Sequence, residues 1–168
     1  MAKKASATGG GGKGKGKGKG SRPRISNRRA RFEFQILEKV ECGMELLGTE
    51  VKSLRAGNAS LDGAYARITN GEVFLCSANI ALYPQAAEGM QHDPLRDRKL
   101  LLRRRQIAKL EVHVSQKGRT LVPLSMYFSR GWAKCELGAA VGKRQYDKRR
   151  AIRDRQQARD VARELRRR

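Results

Sequence analysis

The sequence predicts a small, mainly β domain: a barrel of about six strands with two to three helices packed outside it, and a basic tail at each end. Three observations carry that expectation. Nineteen of the 22 excess positive charges sit at the ends: residues 1–31 hold eleven Lys/Arg and no acid, residues 142–168 hold twelve against four, and the middle holds fifteen against twelve. Between the tails the chain breaks into short β-rich runs separated by turn residues, with only two stretches at helical spacing. Runs that short and that few do not make two good sheets, whereas one sheet curled on itself protects its edges.

The elements follow in order. GGGGKGKGKGKG, residues 9–20, alternates the most flexible residue with a point charge and has no apolar surface to bury, so residues 1–24 are expected to be disordered. Such a leader is either a loose attractor of phosphate or only a solubilising tail. RFEFQILEKVE places Phe32, Phe34 and Ile36 at period two and reads as a half-buried strand. In MELLGTEVKSLRAGN, Thr49 can cap a short helix whose Val51 and Leu54 share a face, and Gly57 ends it. AYARITNGEVFLCSA reads as a hairpin, because Asn70-Gly71 supplies the positive φ angles of a type I′ turn. Residues 99–102 read as a short strand; from residue 103 onward Ile107, Leu110 and Val114 recur at helical spacing until Gly118 stops the helix. TLVPLSMYFSRGWAKCELGAAVG is a second, longer hairpin turning at Arg130-Gly131, with Pro123 confined to an edge or bulge because it cannot donate to a ladder. Residues 25–141 therefore form the core, of the OB type, whose strand face and loops are open to an oligonucleotide.

A net charge of +22 on 168 residues self-repels and needs a polyanion. No apolar run approaches the roughly 20 residues of a membrane span, and no apolar segment follows Lys3 and Lys4 as a secretory signal requires. Nucleic acid is then the leading partner and the cytoplasm the expected location. Cys42, Cys76 and Cys135 are odd in number and far apart, and read as buried thiols of a reducing compartment. Asp93 and Asp97 lie near His92, but Pro94 breaks any helix that would align them as metal ligands, so they read as polar loop residues. No Ser/His/Asp arrangement, phosphate loop or HExxH is present, so neither an enzyme nor a cofactor or metal site is expected.

Three segments carry the nucleic-acid reading. In ISNRRARFEF, Asn27, Arg28, Arg29 and Arg31 lead into the aromatics Phe32 and Phe34, a pattern suited to backbone contact plus stacking, unless both rings fill the barrel. Glu41 repels phosphate and helps only by accepting hydrogen bonds from base amines; otherwise it is an exposed strand residue paired with Lys39 or Arg67. In GKRQYDKRR, Gly142 uncouples the tail from the last strand, Asp147 is placed to cap a helix, and Tyr146 is held just before it, able to stack on a base. A helix from Asp147 has only a thin stripe of Ala151, Ala158, Ala162 and Leu165. Burying it at roughly 25 cal/mol/Å² does not offset about 1 kcal/mol of ordering entropy per residue. The tail, residues 142–168, is thus expected to fray when free and to become a continuous helix against a polyanion, unless it is a charge run with an incidental tyrosine.

NRRARFEF, LLGTEVKSLRAGNASL, HDPLRDRKLLL, KGRTLVPLSMYF and GKRQYDKRR, in this order and spacing, closely resemble the small protein B family, the SsrA-binding proteins of bacteria. The resemblance runs from residue 25 to 152, continues more loosely to the end, and leaves the Gly/Lys leader uncovered. It implies an OB-type barrel that binds the tRNA-like domain of transfer-messenger RNA (tmRNA) and brings it to ribosomes stalled on broken messages, the rescue called trans-translation, with no reaction catalysed. The implied partners are tmRNA, the ribosome (mainly its small subunit) and, indirectly, the elongation factor that carries aminoacyl-tRNA; the implied state is a monomer. By position, Glu41 and Leu101 match tmRNA-binding positions, although apolarity alone makes Leu101 a core residue, and Lys99 is expected as their RNA-facing neighbour. Gly142, Lys143, Arg144, Asp147, Lys148 and Arg149 match the tail motif used in the decoding centre, Tyr146 matches a ring that stacks there, and Phe32 matches a ring near the small subunit. The chain departs from the family in its longer leader and in favouring arginine over lysine in its tail, which permits bidentate phosphate contacts. A general RNA-binding or ribosomal protein is the main alternative that the composition leaves, ahead of an enzyme acting on RNA.

Overall fold

The computed structural model describes residues 23–87, 89–143 and 156–157. The leader and the tail beyond Lys143, apart from the helical Gln156 and Gln157, lie outside the described residues. In chain order the elements are β1 (Ile25–Ser26), α1 (Arg28–Glu33), β2 (Phe34–Met44), α2 (Gly48–Ala56), β3 (Ala59–Ser60), β4 (Tyr65–Thr69), β5 (Glu72–Cys76), β6 (Asn79–Ile80), β7 (Arg98–Leu101), α3 (Arg104–Val114), β8 (Arg119–Ser129) and β9 (Trp132–Gly142).

Six of these strands close on themselves. The order β8-β4-β5-β7-β2-β9 is completed by β9 pairing back onto β8, so the barrel that the short runs predicted is formed. β1 adds to β8, and β3 and β6 make a separate two-stranded ribbon. The two predicted hairpins turn where expected, with positive φ at Asn70 and Gly71 and at Arg130 and Gly131. Pro123 marks a register shift against β9, a bulge that spares the ladder a missing donor. The main core takes Val40, Cys42 and Met44 from β2, Val73 and Leu75 from β5, Leu100 from β7 and Met126 from β8, closed by Cys135, Leu137 and Ala139 from β9. Leu54 of α2 and Leu110 of α3 pack into the same cluster, and all three cysteines are buried and unpaired.

Four local expectations are corrected. Phe32 is not on a strand: residues 28–33 form α1, because the Asn27 side chain accepts from the Ala30 N–H at 2.9 Å and Arg29 pairs with Glu33 one turn on. Phe34, first in β2, does not fill the barrel's main core. A bulge between Ile36 and Glu38 shifts the alternation, so Phe34 and Ile36 pack with Ala30, Val122, Leu124 and Ala140 in a second cluster beneath α1. Thr49 does not cap α2. The Glu50 carboxylate accepts from the Leu47 N–H at 2.8 Å, whereas the Thr49 hydroxyl bonds His92; Gly57 ends the helix in the left-handed region as expected. α3 stops at Val114 rather than at Gly118, which instead turns the chain into β8.

The second cluster has no slack. A Cβ added to Gly138 meets Leu124 Cδ1 at 3.2 Å and Ile36 Cγ2 at 3.3 Å. Gly138→Ala is expected to destabilise the protein by about 1–3 kcal/mol through overpacking, seen as a lower urea midpoint at unchanged slope. An unchanged midpoint would mean that α1 lifts to make room.

Candidate nucleic-acid interface

Glu41, Lys99 and Leu101, separated by up to 60 residues in sequence, line one groove of about 720 Å³ between the β2–β7 pair and the start of α3. Strand register explains how they meet. β7 pairs antiparallel with β2, with Gly43 opposite Leu101 and Met44 opposite Leu100, so Leu100 turns inward and Leu101 outward. Leu101 is 52% exposed and Leu100 2%, which corrects the core assignment that apolarity suggested for Leu101. Gly43 gives Leu101 its resting place: a Cβ there would lie 3.3 Å from Leu101 Cβ. Lys99, two residues along the same face, is half-buried and ion-paired with Glu72.

Glu41 is exposed on β2, but its partner is neither Lys39 nor Arg67. It accepts from the Lys134 ammonium of β9 and the Tyr127 hydroxyl of β8. The register sets Glu41 opposite Glu136, a like-charge pairing that two diagonal lysines resolve: Lys134 binds Glu41, and Lys39 binds Glu136 at 3.3 Å. Arg67 pairs with Asp97 at 2.7 Å instead. The bonds from Lys134 and Tyr127 hold the Glu41 carboxyl below its usual range, and the Glu41 bond pushes the Tyr127 phenol up to about 12. The site therefore presents an ionised acceptor whose charge a lysine offsets locally. Such a group can take a hydrogen bond from a base amine or ribose hydroxyl without strongly repelling the neighbouring phosphates.

The remaining candidates lie elsewhere. Asn27 is buried, with its oxygen taken by the Ala30 N–H and its amide donated to the Leu61 carbonyl at 3.0 Å, so both ends of its side chain are engaged within the protein. Arg28 and Arg29 are exposed on α1, Arg29 bound to Glu33. Phe32 is half-buried on α1, beside the point where the tail leaves the barrel. Gly142 lies within the last strand rather than beyond it. It is the last residue of β9, opposite Phe34, and the next N–H, of Lys143, bonds the Glu33 carbonyl at 2.9 Å. The Lys143 ammonium reaches the Arg31 carbonyl at 3.2 Å. Arg144, Tyr146, Asp147, Lys148 and Arg149 lie outside the described residues. Phe34 and Glu41 are seven residues apart on β2, so the tail root and the groove are separated by about 23 Å of strand.

Tyr127 and Lys134 were missed in the sequence. The two-residue turn at Arg130-Gly131 makes them directly opposed, so their pairing was readable; that β2 brings Glu41 beside them was not. His92, weighed as a metal ligand, is buried with both ring nitrogens engaged, by Thr49 at 2.8 Å and by the Ile80 carbonyl at 3.0 Å.

The chain is similar to known proteins along most of its length. The family model described as SmpB protein matches residues 24–167. The SsrA-binding protein of Gloeobacter violaceus is 52% identical over 143 residues, 85% of this chain and 93% of that one. That of Synechococcus elongatus is 52% identical over 141 residues, 84% and 92% of the two chains. A solved structure described as "tmRNA-SmpB: a journey to the center of the bacterial ribosome" superposes with a TM-score of 0.63 at 47% identity, covering 78% of this chain and 95% of its own. A barrel with this strand ring, matched along nearly all of its length beyond the leader, makes the chain a member of the SmpB protein family.

Proposed function

We propose that this protein binds the tRNA-like domain of tmRNA through the groove of Glu41, Lys99 and Leu101, and delivers it to stalled ribosomes for trans-translation. The observation that carries the reading is the convergence of those three residues on one groove, in a chain whose relatives are SsrA-binding proteins. A general RNA-binding protein needs only basic surface. It has no use for an ionised glutamate pre-paired with a lysine beside an exposed leucine. The barrel of residues 25–141 holds the RNA, and residues 142–168 probe the empty mRNA channel and decoding centre as a helix, with Tyr146 stacking there. The strand length between the groove and the tail root supports this division, because it lets one RNA and one ribosomal surface be engaged together. The protein acts by binding rather than by catalysis, in the cytoplasm where ribosomes work; among the described residues no helix is long and apolar enough to cross a membrane.

The test is reconstituted rescue: alanine transfer from alanylated tmRNA to a peptidyl chain on a ribosome stalled at the end of a message. The full chain is expected to support transfer, and a chain ending at residue 143 is expected to bind the tRNA-like domain but support none. Transfer at full rate by the shortened chain would remove the tail from the mechanism, and no transfer by the full chain would remove the function.

A further inference from the structure

The groove continues along α3 into a surface that the reading above leaves unused. A second concavity of about 390 Å³ shares Glu41 and Gln106 with the first and adds Arg105 and Lys109, while Arg103 and Arg104 line the first. All four cations are exposed, and none has an ion-pair partner among the described residues.

Their placement costs the helix stability. Arg103 stands at the N-cap, where its own side chain makes no cap bond and only Gln106 reaches back, accepting from the Arg103 N–H at 3.0 Å; Arg104 and Arg105 open the first turn, and that turn has no acid. The positive end of the helix dipole thus carries three positive side chains, where Asp, Ser or Glu is favoured. Arg105 and Lys109 add a like-charge pair one turn apart. Lys99 and Lys134, on the groove's other side, are by contrast each matched to a glutamate. Local rules broken together at one exposed surface mark a place where a ligand supplies the missing charge.

We propose that Arg103, Arg104, Arg105 and Lys109 bind the ribose–phosphate backbone of the same RNA whose bases meet Glu41 and Leu101. This rests on the tmRNA reading and deepens it by separating adhesion from selection. The α3 cations supply sequence-blind phosphate contacts that set position, and the groove reads the base edges. Continuity between the two concavities favours RNA over an acidic protein, because a strand that leaves the groove on this side crosses α3.

The experiment uses full-length protein with Arg104, Arg105 and Lys109 all changed to glutamine, and a control with Lys52, Lys117 and Arg130 changed instead. Both are titrated with the tRNA-like domain and with an elongator tRNA over a salt series. Loss of the α3 cations is expected to reduce the slope of log affinity against log salt by about 2–3. It is expected to weaken binding at low salt at least about tenfold and to leave the ratio between the two RNAs unchanged. Its urea midpoint should equal or exceed that of the wild type, because charges opposing the dipole are gone. The control should lose far less. An unchanged slope, an equal loss in the control, or a lost ratio at constant slope would each overturn the proposal; the first would leave an acidic protein as the better occupant. Failure of the wild type to prefer the tRNA-like domain would instead defeat the tmRNA reading, while the slopes still decide what α3 does.

Discussion

Replacing Glu50 with alanine is expected to cost about 3–5 kcal/mol of stability, the range for stranding one partner of a buried ion pair. Glu50 and Arg98 are both fully buried. The Glu50 carboxylate accepts from the Leu47 N–H, from Arg98 Nε at 2.8 Å and from Arg96 at 2.6 and 2.9 Å. Arg98 spends its other donors on the carbonyls of Ala78, Pro94 and Arg96. One carboxylate thus ties α2, the 81–97 loop and the start of β7 together, and β7 carries Lys99 and Leu101. The variant would leave a guanidinium buried without its counter-charge and loosen the groove's floor.

The pH dependence of this loss has a definite sign. Burial alone would raise the Glu50 carboxyl, but hydrogen bonds from Arg96 and Leu47 and the charge of Arg98 outweigh it and hold the carboxyl below its usual value. A depressed folded value contributes stability that is fully present above the unfolded carboxylate range and is lost as pH falls through the folded value. The gap between wild type and Glu50→Ala should therefore be widest near neutrality and shrink as the solution is acidified, measured by urea unfolding at several pH values. A gap constant with pH would mean that shape, rather than charge, makes Glu50 necessary.

The second large effect concerns binding rather than folding. Glu41→Gln removes a charge-assisted acceptor, and a loss of about 1.5–3 kcal/mol is expected in affinity for the tRNA-like domain, about tenfold to a hundredfold. Selectivity over elongator tRNA should fall with it. Stability should hardly move, because Glu41 is exposed. Leu101→Ser is expected to do the same through loss of an apolar contact, whereas Leu100→Ser, one residue earlier and buried, should unfold the barrel. If both leucine variants lose RNA binding only in proportion to lost fold, Leu101 is a structural residue and the groove is not the reading surface.

Local chemistry was legible, and non-local pairing was not. Both hairpins, the left-handed cap at Gly57 and the bulge at Pro123 follow from residues within a few positions, and the six-strand ring follows from the number and length of the runs. Phe32 went astray because two aromatics at period two outweighed the quieter cap at Asn27, which the Arg29–Glu33 pair and the burial of Ala30 reinforce. Thr49 was an acceptable cap by type, but the longer Glu50 side chain reached the Leu47 N–H and left the hydroxyl for His92. The partners of Glu41 could not be read at all, because they are fixed by β2 lying beside β9, some 90 residues on. For the same reason physics alone sent Leu101 inward: which leucine of a short run faces solvent depends on the register against Gly43.

The central claim is that the barrel's groove, rather than the charge of the tails, selects the RNA. Residues 23–143 keep twenty basic and twelve acidic side chains, so this fragment carries +8 of the full +22. Its affinity for the tRNA-like domain and for an ordinary elongator tRNA, measured across a salt series, separates the two sources of binding. Binding that prefers the tRNA-like domain and persists as salt rises is the predicted result. Equal, weak binding to both RNAs with a steep salt dependence would contradict the account and return the protein to general RNA adhesion.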